Sequence, residues 1–121
     1  MKVVIGERDG HRLVRTTVPF GAGDVVMQLS TRVVRDAPTR TSIRIGPGRH
    51  SEDPFGMYVN HSCNPTCRVK DGGIVALGFL PIGSEITFDY TDNEEALASP
   101  FTCGECGQEM TGAPAPCKES R

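Results

Sequence analysis

Fourteen Gly and nine Pro punctuate a chain of 121 residues, and this spacing constrains the fold more than any other feature. Gly carries an entropic cost inside regular structure and Pro removes a backbone donor, so long helices are interrupted before they can propagate. The interruptions leave short β-branched runs at residues 3–5, 13–17 and 25–29, each bounded by turn residues. Residues 18–24 read as a turn between two of them. Runs at 67–70 and 74–77 flank Asp71-Gly72-Gly73, a hairpin signal because Asp-Gly accepts the positive φ values of a tight turn. A further strand is expected over 85–90, entered through Pro81-Ile82-Gly83. Its alternation places Ile86, Phe88 and Tyr90 on one face, with Glu85 and Asp89 on the other. Only 93–98 has a composition favouring helix. Residues 36–56 are polar and rich in Gly and Pro, with one candidate strand at 42–45. The expected class is mostly β: small sheets, many turns and very little helix.

At this length the chain fits one domain, assigned to residues 1–112, with the Pro/Ala-rich stretch 113–121 expected to be a disordered tail. No apolar run approaches the roughly 20 residues that cross a bilayer. The first ten residues reach charge too early for a signal peptide, so the expected location is cytoplasmic. A net charge of −2 argues against a nucleic-acid binder. That total hides an asymmetry: residues 1–50 hold nine Lys/Arg against four Asp/Glu, and residues 51–121 hold four against eleven. The acidic run from Glu85 to Glu95 reads either as a solvated face or as a field that gathers a Lys/Arg-rich peptide. Five cysteines without an export signal point to thiols or metal ligands rather than disulfides.

The string Asn60-His61-Ser62-Cys63-Asn64-Pro65 makes a poor strand and a poor helix, and Pro65 turns Asn64 away from helical geometry, so a kinked loop is expected. By itself it reads equally as a loop capping its own backbone. Tyr90, taken alone, reads as a core tyrosine with a satisfied hydroxyl. The order of the two strings changes that weighting. With Gly83-Ser84-Glu85-Ile86-Thr87-Phe88-Asp89-Tyr90 following the first string, the chain resembles the SET-domain protein-lysine methyltransferases, compact members with a minimal variable insert. Gly10–Val14, Ala22–Val26 and the stretch Pro100–Gly107 lend weaker support, so the likeness covers about residues 10–112.

The resemblance implies a fold of small sheets closed by a C-terminal pseudoknot, with residues 100–112 as a degenerate post-SET-like segment. It implies S-adenosylmethionine on one face, contacted by Gly10, Arg12, Asn60 and His61, and a target lysine entering from the other. Tyr90 is then the active-site tyrosine, and Phe88 stands where the family sets how many methyl groups are added. The implied partner is a basic protein or peptide, and compact relatives suggest a homodimer. Three positions depart from the family pattern: Arg12 in place of the second Gly of Gly-x-Gly, Thr66 in place of Asn, and Thr41 in place of a channel Tyr. Larger members hold zinc through the loop Cys and three C-terminal Cys. Here Met110 stands where the third tail ligand belongs, and Met is a poor zinc ligand. The expectation is a domain without zinc, with Cys63, Cys67, Cys103 and Cys106 (or Cys117) as the alternative ligand set. The competing reading is a divergent SET fold that no longer uses S-adenosylmethionine. Its pocket would bind a small biosynthetic intermediate and promote cyclisation or proton transfer through Tyr90, His61 or His50. A third reading is a non-catalytic peptide-binding module.

Overall fold

The computed structural model describes residues 2–93, 101–102 and 109–110. In chain order the strands are β1 (Val3–Arg8), β2 (His11–Thr16), β3 (Val25–Gln28), β4 (Val34–Arg35), β5 (Ile43–Gly46) and β6 (Arg49–Ser51). After a single 3-10 turn at Gly56–Tyr58 come β7 (Asn60–His61), β8 (Cys67–Lys70), β9 (Gly73–Ala76) and β10 (Thr87–Phe88). A one-turn helix α1 (Tyr90–Asn93) and the paired β11 (Phe101–Thr102) and β12 (Glu109–Met110) complete the described elements. The architecture is therefore mostly β, in small sheets with almost no helix. Among the described residues no helix is long and apolar enough to cross a membrane.

Two hairpins form for the same local reason. Asp71 and Gly72 have φ of 51° and 75°, and Asp9 and Gly10 have φ of 53° and 81°. Positive φ at both central residues matches the right-handed twist of the flanking strands. The first turn lies between β8 and β9, as the sequence leads one to expect; the second joins β1 to β2, with Arg8 opposite His11. β9 is the middle strand of β3-β9-β8 and is buried along its whole length, which suits its run of small and branched apolar residues. The core gathers Val14, Ile74, Ile86, Val59 and Cys67 from separate segments of the chain.

Two expectations are corrected. Residues 36–56 carry a second strand besides β5: β6 pairs with both β5 and β4, the connection from β5 turning at Gly48, whose φ is 64°. The segment 85–90 is not one long strand. Only Thr87–Phe88 pairs with β7, in parallel, and Tyr90 opens α1. The simple two-faced alternation fails with it, because Ile86, Thr87, Phe88 and Asp89 are all buried. The cause is a change of partner. The Tyr90 backbone N–H donates to His61 Nδ1 at 3.1 Å, a side chain, so the chain leaves the sheet there. Composition favours a helix at 93–98; α1 ends at Asn93, and residues 94–98 lie outside the described residues, as do the tail 113–121 and the segment 103–108.

Candidate functional site

The string beginning at Asn60 is not wholly loop: its first two residues are β7, and the bend follows at Cys63 and Asn64. Ser62 N–H donates to Phe88 O at 3.2 Å, and Ser62 Oγ accepts Asn64 N–H at 3.0 Å. These bonds seat the kink directly on β10. Thr66 then closes the loop. Its hydroxyl donates to Glu85 O at 2.9 Å and accepts Thr87 N–H at 3.0 Å, while its own N–H donates to Thr87 Oγ1 at 3.0 Å. A β-branched hydroxyl thus supplies the ladder partners that a two-residue strand pair cannot. On its other side the segment is tied to β2, through Ile86 N–H to Val14 O at 2.9 Å and Thr16 N–H to Ser84 O at 2.9 Å.

The two motifs meet at Tyr90. Its hydroxyl donates to Val59 O at 2.5 Å, one residue before Asn60. Its ring lies 4.9 Å from that of Phe88 and 5.3 Å from that of His61. With the phenolic proton committed to a carbonyl, the oxygen offers only lone pairs to anything else nearby. His61 is equally committed. The Tyr90 N–H points at Nδ1, and this contact fixes the orientation of the ring. Asp89 Oδ1 lies 3.7 Å from the same Nδ1, and both side chains are buried.

A cleft of about 350 Å³ opens beside this junction. Asn60, His61 and Glu85 line it from one side, and Arg8, Asp9 and His11 line it from the β1–β2 hairpin. Of the residues expected to contact a cofactor, Asn60 and His61 are on its wall. Gly10 shapes the hairpin tip between two lining residues. Arg12 turns away: its guanidinium donates to Tyr58 Oη at 3.2 Å and lies 5.4 Å above that ring. Its backbone carbonyl nevertheless accepts from Asn60 Nδ2 at 3.2 Å. Neither Phe88 nor Tyr90 lines this cleft; Phe88 borders a separate pocket of about 230 Å³. Arg8, Asp9 and His11 were missed in the sequence, although Asp9-Gly10 carries the same turn signal as Asp71-Gly72.

The remaining candidates resolve by burial. Thr41, standing for the expected channel tyrosine, donates its hydroxyl to Glu52 Oε1 at 2.8 Å. Arg35 and Thr39 bind the other oxygen at 3.0 and 2.9 Å. Desolvation, the largest single influence, pushes the Glu52 carboxyl up, but the bonds from Thr41, Arg35 and Thr39 together with the Arg35 charge hold it below its ordinary value. Burial pushes the Cys67 thiol up, against smaller opposing bonds from Thr66 and Thr87. Among the described residues no three His, Cys, Asp or Glu side chains are grouped to hold a metal, and Cys103, Cys106 and Cys117 lie outside them. His50 is buried on β6, and its Nδ1 has no hydrogen-bond partner among the described residues.

A family model described as "SET domain" matches residues 11–91. Over 61 residues, 44% of this chain, the sequence is 34% identical to the mouse (Mus musculus) protein "Histone-lysine N-methyltransferase NSD3". Over 60 residues, 42% of this chain, it is 40% identical to "Histone-lysine N-methyltransferase, H3 lysine-36 specific" of Candida albicans. The matched stretches are 4% and 7% of those two proteins, so the likeness is confined to a small part of each.

Proposed function

The chain belongs to the SET-domain family, and on that premise we propose that it is an S-adenosylmethionine-dependent protein-lysine N-methyltransferase acting on a basic peptide. One observation carries the reading: the Tyr90 hydroxyl rests on Val59 O, next to the Asn60-His61 pair that walls the cleft. The donor set suits the cofactor. A zwitterionic amino-acid tail and a ribose diol need both charged and neutral hydrogen-bonding groups, and the cleft offers a guanidinium, two carboxylates, an amide and two imidazoles. Asn60 and His61, with Arg8, Asp9 and His11 opposite, would hold it. When bound, it supplies a sulfonium methyl already activated toward an amine.

What the protein must add is alignment, and its own residues are arranged for that. The Val59 carbonyl and the Tyr90 oxygen, joined by their hydrogen bond, present acceptor lone pairs at a fixed separation, suited to weak C–H···O contacts and to an incoming amine. The Phe88 and Tyr90 rings form an apolar wall against which an ammonium loses solvation, which favours its neutral, nucleophilic form. Phe88 lacks a hydroxyl and leaves space beside the amine, which favours higher methylation states; Phe88→Tyr should shift product toward monomethyl-lysine.

Calorimetry with S-adenosylhomocysteine should give micromolar binding, and labelled methyl transfer to Lys-rich peptides should fall about 100-fold in Tyr90→Phe, the scale of lost alignment. Absence of binding at millimolar ligand would reject the cofactor reading and favour a pocket for another small molecule.

A further inference from the structure

Glu85 joins two sides of the cleft. One carboxylate oxygen accepts from Arg8 Nη2 at 2.8 Å, and the other accepts from Asn60 Nδ2 at 3.3 Å. The second hydrogen of the same Asn60 amide goes to Arg12 O at 3.2 Å. Both partners of Nδ2 are pure acceptors, so the orientation of this carboxamide is decided by chemistry: NH2 faces Arg12 and Glu85, and Oδ1 is the end left for the cleft. The Glu85 side chain is 17% exposed against 56% for Arg8, so Glu85 is the more buried half of the ion pair.

We propose that Glu85 is a positioning residue for ligand binding, acting through Asn60 by holding its carboxamide so that Oδ1 is presented to a hydrogen-bond donor of the ligand. The proposal rests on the cofactor reading above for the ligand's identity, but not for the orientation itself. Arg12 O supplies one neutral acceptor; Glu85 supplies the charged one, and a charged acceptor makes the stronger bond. In Glu85→Gln the volume stays the same, but the new carboxamide can turn either end toward Asn60, and a turned NH2 drives the Asn60 amide to flip. Arg8 contributes by taking up the remaining oxygen of Glu85, which leaves the carboxylate one orientation.

Two measurements test this. In the first, the Asn60 side-chain NH2 resonances, identified by their loss in Asn60→Ala, are followed by hydrogen exchange in the ligand-free protein. They should be protected in the native protein and exchange at least about tenfold faster in Glu85→Gln, the scale of one charge-assisted hydrogen bond. In the second, S-adenosylhomocysteine affinity is measured across the cycle of Glu85→Gln, Asn60→Ala and the double variant. Glu85→Gln should weaken binding roughly tenfold in the native background, and by less than about twofold once Asn60 is Ala. Unchanged amide exchange in Glu85→Gln, or additive losses across the cycle, would overturn the proposal. Should the native protein bind no S-adenosylhomocysteine, the cofactor reading fails, and the amide exchange alone decides the role of Glu85.

Discussion

At the Asp9-Gly10 and Asp71-Gly72 turns, two neighbouring residues with positive φ bring adjacent strands into register. Where the segment ending at Thr66 meets the one ending at Asn93, the contacts join residues far apart in the chain. Thr66 and Thr87 are 21 residues apart, His61 and Tyr90 are 29, and Val59 and Tyr90 are 31. The hairpins are closed by backbone conformation, which a dipeptide specifies. The crossing is closed largely by side-chain hydrogen bonds, each of which exists only after a long loop has been ordered. The candidate site lies at the crossing, where regular structure is shortest and individual side chains replace ladder partners.

The sharpest way to break this contrast is Thr66→Val. The shape is kept, but Thr87 N–H and Glu85 O lose their partner, which should cost about 1–3 kcal/mol. Because β10 carries Phe88 and leads to Tyr90, ligand affinity should fall with stability, as chemical denaturation and calorimetry would show together. If only stability changes, the crossing is a scaffold and not part of the site.

A hairpin change should behave differently. Gly72→Ala places a side chain at φ of 75° and should cost about 1 kcal/mol, with no change in ligand binding. Gly10→Ala, at φ of 81°, should carry the same stability cost. There is open space around a Cβ at either position, so the penalty is conformational in both. At Gly10, however, the turn lies between Asp9 and His11 on the cleft, so affinity should drop as well. Equal effects of the two glycines on binding would remove the β1–β2 hairpin from the site.

The smallest expected effect concerns the loop anchored at Glu52. Its carboxyl lies below its ordinary value when folded, so the stabilisation is present at neutral pH and is lost as pH falls through that lowered value. Melting temperatures of the native protein and Glu52→Gln should therefore differ near neutrality and converge in acid. A difference that persists in acid would assign the effect to packing of the loop rather than to its charge.

Local chemistry was legible from the amino acids: the β class and the β8–β9 turn follow from residue types and their order, and the two strings that carry the family resemblance do come together, with Tyr90 against His61 and Val59. The β1–β2 turn carries the same local signal in Asp9-Gly10, but that Arg8, Asp9 and His11 line the cleft depends on where the fold sets the hairpin. The curtailed strand at Thr87–Phe88 had no such signal, because Tyr90 leaves the sheet only when a histidine 29 residues earlier takes its N–H. Nor could periodicity reveal that Asp89 is buried beside His61, or that Glu85 reaches both Arg8 and Asn60. Turn propensity and hydrophobic patterning act between near neighbours and are written in short stretches of residues. Hydrogen bonds between distant polar side chains depend on which loops the folded chain brings within about 3 Å, and only the completed fold sets that distance.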